Sequence, residues 1–355
     1  MLALNGRIRL ARIRWHGETV GSCTVLDGYL DRAERTISVG VREMAGRPNG
    51  GGTHFDRTAE NLKHATHVRA SGETRRQLIE GEGRQVLEAF RQGTLPITWT
   101  AQDCAVEPGR DGSPTRLDLG CDGVMAPMAT DAEKGKRREN AKGKRRRPLR
   151  RAKAGADQKY EEFELVTYYD EDVRHRLVLG TKGNCDEAGR LMRRLAARID
   201  LAAANEKVGN VDGAPWIRGQ VEGRNLPLDG LGLDFYRLSE QVYKGRRAVF
   251  GETTPAGMVW AGEVLHAFKH DGYEAAWEKL VTWRAGLRRA KRTAADALLD
   301  YVSERRGMIR YPEFAAKGSG MRWAADNAEA VMALEALRES DLWQTYWRTL
   351  LPATS

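Results

Sequence analysis

Cysteine is scarce in this chain of 355 residues, and proline is little more common: there are 4 of the first and 11 of the second. Cys23, Cys104, Cys121 and Cys185 stand singly, without the close pairs of a tetrahedral zinc motif or the density of a disulfide scaffold. Four buried thiols are expected. Aromatic residues make up only 7%, yet 41% of the chain is hydrophobic, enough to fill a core and to exclude a wholly disordered or collagen-like polypeptide. No run of eighteen apolar residues occurs, and arginines interrupt the opening MLALNGRIRLARIRW before a signal-peptide core can form. The expectation is a cytoplasmic protein without membrane contact.

What is present in excess is positive charge, and its distribution is uneven. The formal charge is +9, from 58 basic and 49 acidic residues. Residues 134–153, KGKRRENAKGKRRRPLRRAK, hold twelve Lys or Arg against the single acid Glu139, or +11, so 9 − 11 leaves −2 for everything else. A stretch with so little apolar content and so much self-repulsion cannot fold alone. It reads as an extended arm: a solvated insertion in the bland case, a clamp on nucleic-acid phosphates in the sharper one. The phosphate-contacting candidates are Lys136, Arg137, Arg138, Lys142, Lys144, Arg145, Arg146, Arg147, Arg150 and Arg151.

Hydrophobic periodicity divides the chain. Short alternating bursts at Arg7 to Trp15 and Thr36 to Val41, ending in the glycines at 46 and 50–52, predict strands and a loop. Phe55 to Gln92 lengthens to helical spacing, with Leu78, Val86, Leu87 and Phe90 able to share a side. Pro96 to Thr100 and Thr115 to Met128 look strand-like, and Phe163 to Tyr169 and His175 to Leu179 predict a hairpin across Asp170, Glu171 and Asp172. Leu191, Leu195 and Ile199 mark an amphipathic helix within Asp186 to Ala203; Val208 to Ile217 reads as a strand, and an apolar segment runs from Leu226 to Tyr236. Met258 to Glu304 is nearly all helix, and a last helix is expected over Ala325 to Arg338. Strand, strand, strand, helix, strand is the order of a ribonuclease-H-like core, although periodicity alone does not select that fold.

Two carboxylates stand beside glycine in apolar surroundings, Asp122 in LGCDGVMAPM and Asp212 in VDGAPWI. A carboxylate among apolar residues costs free energy unless it is paired or binds a cation, and two on neighbouring strands could hold Mg²⁺. Asp-Gly is also the commonest hairpin-turn dipeptide, so either pair read alone favours a turn. His266 and His270 share a helix face but lack a third ligand, and read as solvated. Gly50 to Gly52 is not followed by Lys-Ser/Thr, which argues against a phosphate loop. Trp216 and Trp323 read as core packing.

A more specific signal comes from six strings in order: GVREMAGRPNGGGTHFDRTAENL (40–62), CDGVMAPMATDAEK (121–134), YYDEDVRHRLV (168–178), VDGAPWI (211–217), LGLDFYRLSE (231–240) and GSGMRWAADNAEAVMALEAL (318–337). Together they resemble bacterial insertion-sequence transposases of the ISKra group, relatives of the mutator-like DDE transposases. The resemblance implies an α/β chain: a small N-terminal α/β DNA-binding domain (1–110), a ribonuclease-H-like mixed-sheet catalytic core (111–250) bearing the arm 134–153, an α-helical insertion (251–310) and a C-terminal helix completing the core (311–355). It implies Asp122 and Asp212 as the catalytic, metal-binding aspartates, Mg²⁺ or Mn²⁺ as cofactor, and two-metal strand cleavage and transfer on double-stranded DNA, at element ends and target, by a homo-oligomer associated with the nucleoid.

Two departures qualify it. Arg237 stands where the family usually has histidine; a guanidinium can contact phosphate but cannot exchange a proton at neutral pH. RYPEFAAK (310–317) runs directly into GSGMRW (318–323), so the segment that carries the family's catalytic glutamate is missing, as after an in-frame deletion. Glu313, Asp326 and Glu329 are the nearest replacements, at the wrong spacing. Impaired catalysis is expected, and a non-catalytic DNA-binding protein that occupies element ends or partners an intact copy is the alternative.

Overall fold

A computed structural model describes residues 2–3, 6–7, 9, 13–18, 21–23, 37–46, 55–66, 68–127, 160–170, 174–316 and 345–346. The basic arm and the helix expected over 325–338 lie outside them. The chain is an α/β protein around a mixed five-stranded sheet. No described helix is long and apolar enough to cross a membrane.

Four short strands, β1 (Leu2–Ala3), β2 (Gly6–Arg7), β3 (Trp15–Gly17) and β4 (Gly21–Cys23), form two small antiparallel ribbons. Three helices follow: α1 (Val39–Gly46), α2 (Phe55–Thr66) and α3 (Gly72–Arg91). In the strand expected over Thr36 to Val41, residues 39–41 are therefore helix. Val41, Arg42 and Ala45 are buried at a spacing that suits one side of α1, Val39 is buried on another, and this packing overrides the weak preference of valine for strands. Ser71 caps α3, its hydroxyl accepting from the Thr74 amide at 3.1 Å. Buried Arg75 donates to the Ala45 carbonyl that ends α1. Arg42 of α1 reaches Glu82 of α3 at 2.5 Å, both buried, and the Tyr346 hydroxyl donates to the other Glu82 oxygen at 2.6 Å.

Pro96 to Thr100 forms no strand; Leu95 and Trp99 bury themselves individually in the core. The large sheet is built from β5 (Arg116–Pro127), β6 (Tyr160–Tyr169), β7 (Arg176–Thr181), β8 (Glu206–Val211) and β9 (Gly230–Leu233), in the order β7-β6-β5-β8-β9. β5 is central, antiparallel to β6 and parallel to β8; β6 and β7 form the expected hairpin, and β9 lies parallel to β8.

Helix α4 (Cys185–Arg198) begins where the Asn184 side chain accepts from the amides of Asp186 and Glu187. Its Leu191, Met192 and Leu195, with Ile199 beyond its end, enter the same core as Leu117, Leu119, Val166 and Leu177 of the sheet. Each such side chain contributes about 1.5–3 kcal/mol of burial. The strand expected over Val208 to Ile217 stops at Val211, because Asp212 and Gly213 turn the chain and Pro215 opens α5 (Pro215–Gly223). Proline suits that first helical position, where its missing N–H leaves no bond unmade.

After β9 the chain is helical: α6 (Phe235–Phe250), α7 (Pro255–His266), a π-helical turn (Ala267–Asp271), α8 (Tyr273–Ala285), α9 (Arg289–Glu304) and α10 (Tyr311–Ala316). Phe250 stacks on Trp283 and Trp260 tilts against both, the two indoles 4.2 Å apart, so these tryptophans serve as packing inside the helical region.

Candidate functional site

The parallel register sets Cys121 of β5 opposite Val211 of β8, and Val211 opposite Leu233 of β9. Asp122, Asp212 and Asp234 are the next residues of the three chains. They therefore follow side by side where β8 and β9 end, Asp122 still within the longer β5, and the register is held there by the Asp234 amide donating to the Val211 carbonyl at 2.8 Å. Asp122 lies inside a continuous strand pairing, opposite Leu165. Its Asp-Gly dipeptide is not a turn, contrary to the reading favoured by that dipeptide alone.

Asp212 is a turn residue as well as a site candidate. Its Oδ1 accepts from the Ala214 amide at 2.8 Å, and Gly213 takes φ +81°, a left-handed conformation that glycine adopts without steric cost. A Cβ at Gly213 would also lie 2.7 Å from Arg305 Nε and 2.8 Å from Leu233 Cδ1. Asp234 caps α6 through its Oδ1, which accepts from the Tyr236 amide at 2.7 Å.

The first turn of α6 brings Arg237 to this row. Its guanidinium lies 3.7 Å from Asp122 Oδ2 and 3.4 Å from Glu240 Oε2. Burial works against its charge, but Asp122, Glu240 and Asp212 outweigh it and hold its pKa above the ordinary arginine value. Beside Gly213, Arg305 covers the Tyr301 ring at 4.0 Å. Along α6, Tyr236, Ser239, Glu240, Tyr243, Lys244 and Arg247 line a shallow open groove.

Sequence reasoning missed Glu164. It sits on β6 opposite Gly123, the residue after Asp122, where the absence of a side chain on that glycine leaves space for it: a Cβ there would stand 3.3 Å from Glu164 Oε2 and 2.7 Å from Glu162 Oε1. Glu164 is buried, and its Oε2 has no hydrogen-bond partner. Burial first, then the charges of Glu162, Asp122 and Asp212, push its pKa up to about 7. The alternation of YEEFELVTYY puts Glu162 and Glu164 on the same face as Val166 and Tyr168, but which glutamate is buried is set by the pairing with β5. Cys121 next to Asp122 is raised as well, by burial and then by Glu164, Asp212 and Asp122. It is a protonated packing thiol, not a nucleophile.

Of the remaining candidates, the ten basic residues from Lys136 to Arg151 lie outside the described residues, as do Asp326, Glu329 and Trp323. Glu313 is exposed and pairs with Arg310. Trp216 is partly buried against the core. His266 and His270 are exposed, their rings 4.5 Å apart. Among the described residues, one set of three metal-ligand atoms falls within 4.8 Å of one another, and it is Cys104, Asp170 and His175, far along the sheet from Asp122. No known protein-family model matches the chain, and no curated protein does.

Proposed function

We propose that this chain is a DDE-type DNA transposase polypeptide whose five-stranded sheet is a ribonuclease-H-like core and whose strand-transfer chemistry is impaired. The observation that carries the reading is the row of carboxylates beside the parallel strands, with Asp122 and Asp212 each following a residue of the paired Cys121 and Val211. The strand order, an antiparallel β7-β6-β5 start followed by parallel β8 and β9, supports it. So does the position of the two aspartates named by the family resemblance, each one residue beyond the paired Cys121 and Val211.

The donor set suits a hard divalent ion in chemistry but falls short in number. Asp122 and Asp212 would hold Mg²⁺ or Mn²⁺, and the unpartnered Glu164 oxygen nearby marks a region overfilled with negative charge. Such an ion, when bound, supplies positive charge for in-line displacement at phosphorus. Among the described residues, the set of three ligand atoms gathered within 4.8 Å includes neither aspartate. Arg237 lies 3.7 Å from Asp122, and its guanidinium would meet a phosphate oxygen bidentately. Tyr236, Lys244 and Arg247 on the groove of α6, together with the arm 134–153, would extend that contact along duplex DNA in the cytoplasm. Assembly into a homo-oligomer on paired element ends belongs to the same proposal.

The ion pair between Arg237 and Asp122 favours a second reading, a DNA-binding protein without cleavage that occupies element ends or partners an intact copy. A nicking assay on duplex DNA carrying the element's ends, with and without Mg²⁺, separates the two. Weak cleavage lost in both Asp122→Ala and Asp212→Ala supports the impaired enzyme; metal-indifferent, salt-sensitive binding without cleavage supports the second. Each phosphate released from arm contact would flatten the dependence of log K on log salt by about 0.9. Failure of the full chain to bind duplex DNA at low salt refutes both readings.

A further inference from the structure

The end of the sheet opposite the aspartate row carries a separate cluster that this proposal does not use. Cys104 follows a single 3₁₀ turn (Ala101–Asp103), and its carbonyl accepts from the Arg116 amide at the start of β5. Asp170 ends β6 and His175 precedes β7, closed on each other by the Asp170 amide donating to the His175 carbonyl. Arg174 Nη2 donates to the Ala105 carbonyl at 3.3 Å, tying the hairpin end to the Cys104 loop. The two loops, some 66 residues apart in sequence between Cys104 and Asp170, are thus tied by the Arg174 guanidinium on the Ala105 carbonyl, a contact independent of the three side chains.

Within this frame the ligand atoms of Cys104, Asp170 and His175 lie within 4.8 Å of one another. His175 Nδ1 is 2.9 Å from Asp170 Oδ2, while Asp170 Oδ1 accepts from the Arg174 and His175 amides. Cys104 and Asp170 are buried, whereas the His175 side chain is 27% exposed, leaving one approach from solvent. Trp99 covers the imidazole, ring centres 5.4 Å apart.

We propose that Cys104, Asp170 and His175 form a zinc site, with water as the fourth ligand. Zinc bonds of about 2.0–2.3 Å in a tetrahedron set neighbouring ligand atoms roughly 3.3–3.6 Å apart, a modest adjustment for atoms already gathered this closely. Binding exchanges protons for the ion: Cys104 loses its thiol proton to solvent, the His175 ring carries its proton on Nε2 so that Nδ1 faces the metal, and Asp170 Oδ2 changes from hydrogen-bond acceptor to ligand. A thiolate, a carboxylate and a neutral imidazole then cancel the two charges of the ion, so the buried cluster is neutral overall. Thiolate and imidazole select zinc over Mg²⁺, which separates this site from the aspartate row chemically as well as spatially. The ion would staple the Trp99–Ala105 loop to the β6–β7 hairpin.

The test uses the full chain, stripped with chelator and titrated with Zn²⁺ alone and then with Co²⁺ alone. One equivalent of zinc is expected, with a rise in melting temperature, and cobalt should give a near-ultraviolet thiolate charge-transfer band. Cys104→Ser keeps the hairpin contacts of Asp170 and His175; it should abolish the band and weaken zinc binding by at least about tenfold, as should His175→Ala. Cys121→Ala, which alters a thiol elsewhere in the sheet, should leave both signals intact. No stoichiometric uptake by the wild-type chain, or uptake unchanged in a Cys104→Ser protein with a wild-type circular-dichroism spectrum, overturns the proposal. Neither result bears on DNA binding, which is measured separately.

Discussion

Glu164 is a carboxyl group whose folded environment disfavours its charge, and replacing it with glutamine gives a signed prediction. Its pKa rises from 4.5 to about 7 on folding, which at about 1.36 kcal/mol for each tenfold change in proton affinity corresponds to about 3 kcal/mol. Because the acid's folded pKa lies above its unfolded one, the native state binds more protons than the unfolded chain between those two values. The contribution of Glu164 to stability is therefore lost as pH rises through that window and is fully unfavourable above about 7. Glu164→Gln keeps the shape and removes the charge. The variant should gain stability relative to wild type on going from pH 4.5 to pH 8, by up to about 3 kcal/mol, or a relative rise in melting temperature of roughly 5 °C. Thermal unfolding followed by circular dichroism at the two pH values measures this difference. Asp122→Asn, which takes away one of the neighbouring charges, should shrink it. An equal offset between Glu164→Gln and wild type at both pH values, or a relative loss at pH 8, would refute the argument that buried like charge dominates this part of the sheet.

Two further substitutions test the framework around the row. Gly213→Ala forces a side chain into a left-handed backbone conformation against Arg305 and Leu233, and should destabilise the chain by about 1–3 kcal/mol; an unchanged urea midpoint would sink that account of the turn. Tyr346→Phe leaves buried Glu82 Oε2 without the hydroxyl now 2.6 Å away and should cost about 1–3 kcal/mol, a loss that chemical denaturation would show directly.

Much of the sheet was legible because its strands carry strong local signals. Phe163 to Tyr169 and His175 to Leu179 lie within or beside the real hairpin strands, and Leu191, Leu195 and Ile199 all enter the core. The errors fall where local preference and tertiary packing disagree. Val39 and Val41 look like strand residues but are buried in a helix facing α3, and Pro96 to Thr100 is extended without a partner to pair with. At the candidate site, Asp122 and Asp212 could be named from their apolar flanks, and Arg237 from its departure from the family pattern. Glu164 could not, because its importance depends on being opposite a glycine across β5 and β6, a fact of register. The Cys104, Asp170 and His175 cluster was invisible for the same reason: no spacing motif links residues that meet only when a loop and a hairpin end are tied together.

The hydrogen bond from Tyr346 to Glu82 joins partners 264 positions apart. On a ribosome adding about 5–20 residues each second, that separation is a delay of roughly 13–53 seconds. Throughout it, the helices of residues 39–91 emerge with a carboxylate that has Arg42 but not yet Tyr346. The N-terminal helices are thus born early but finished late.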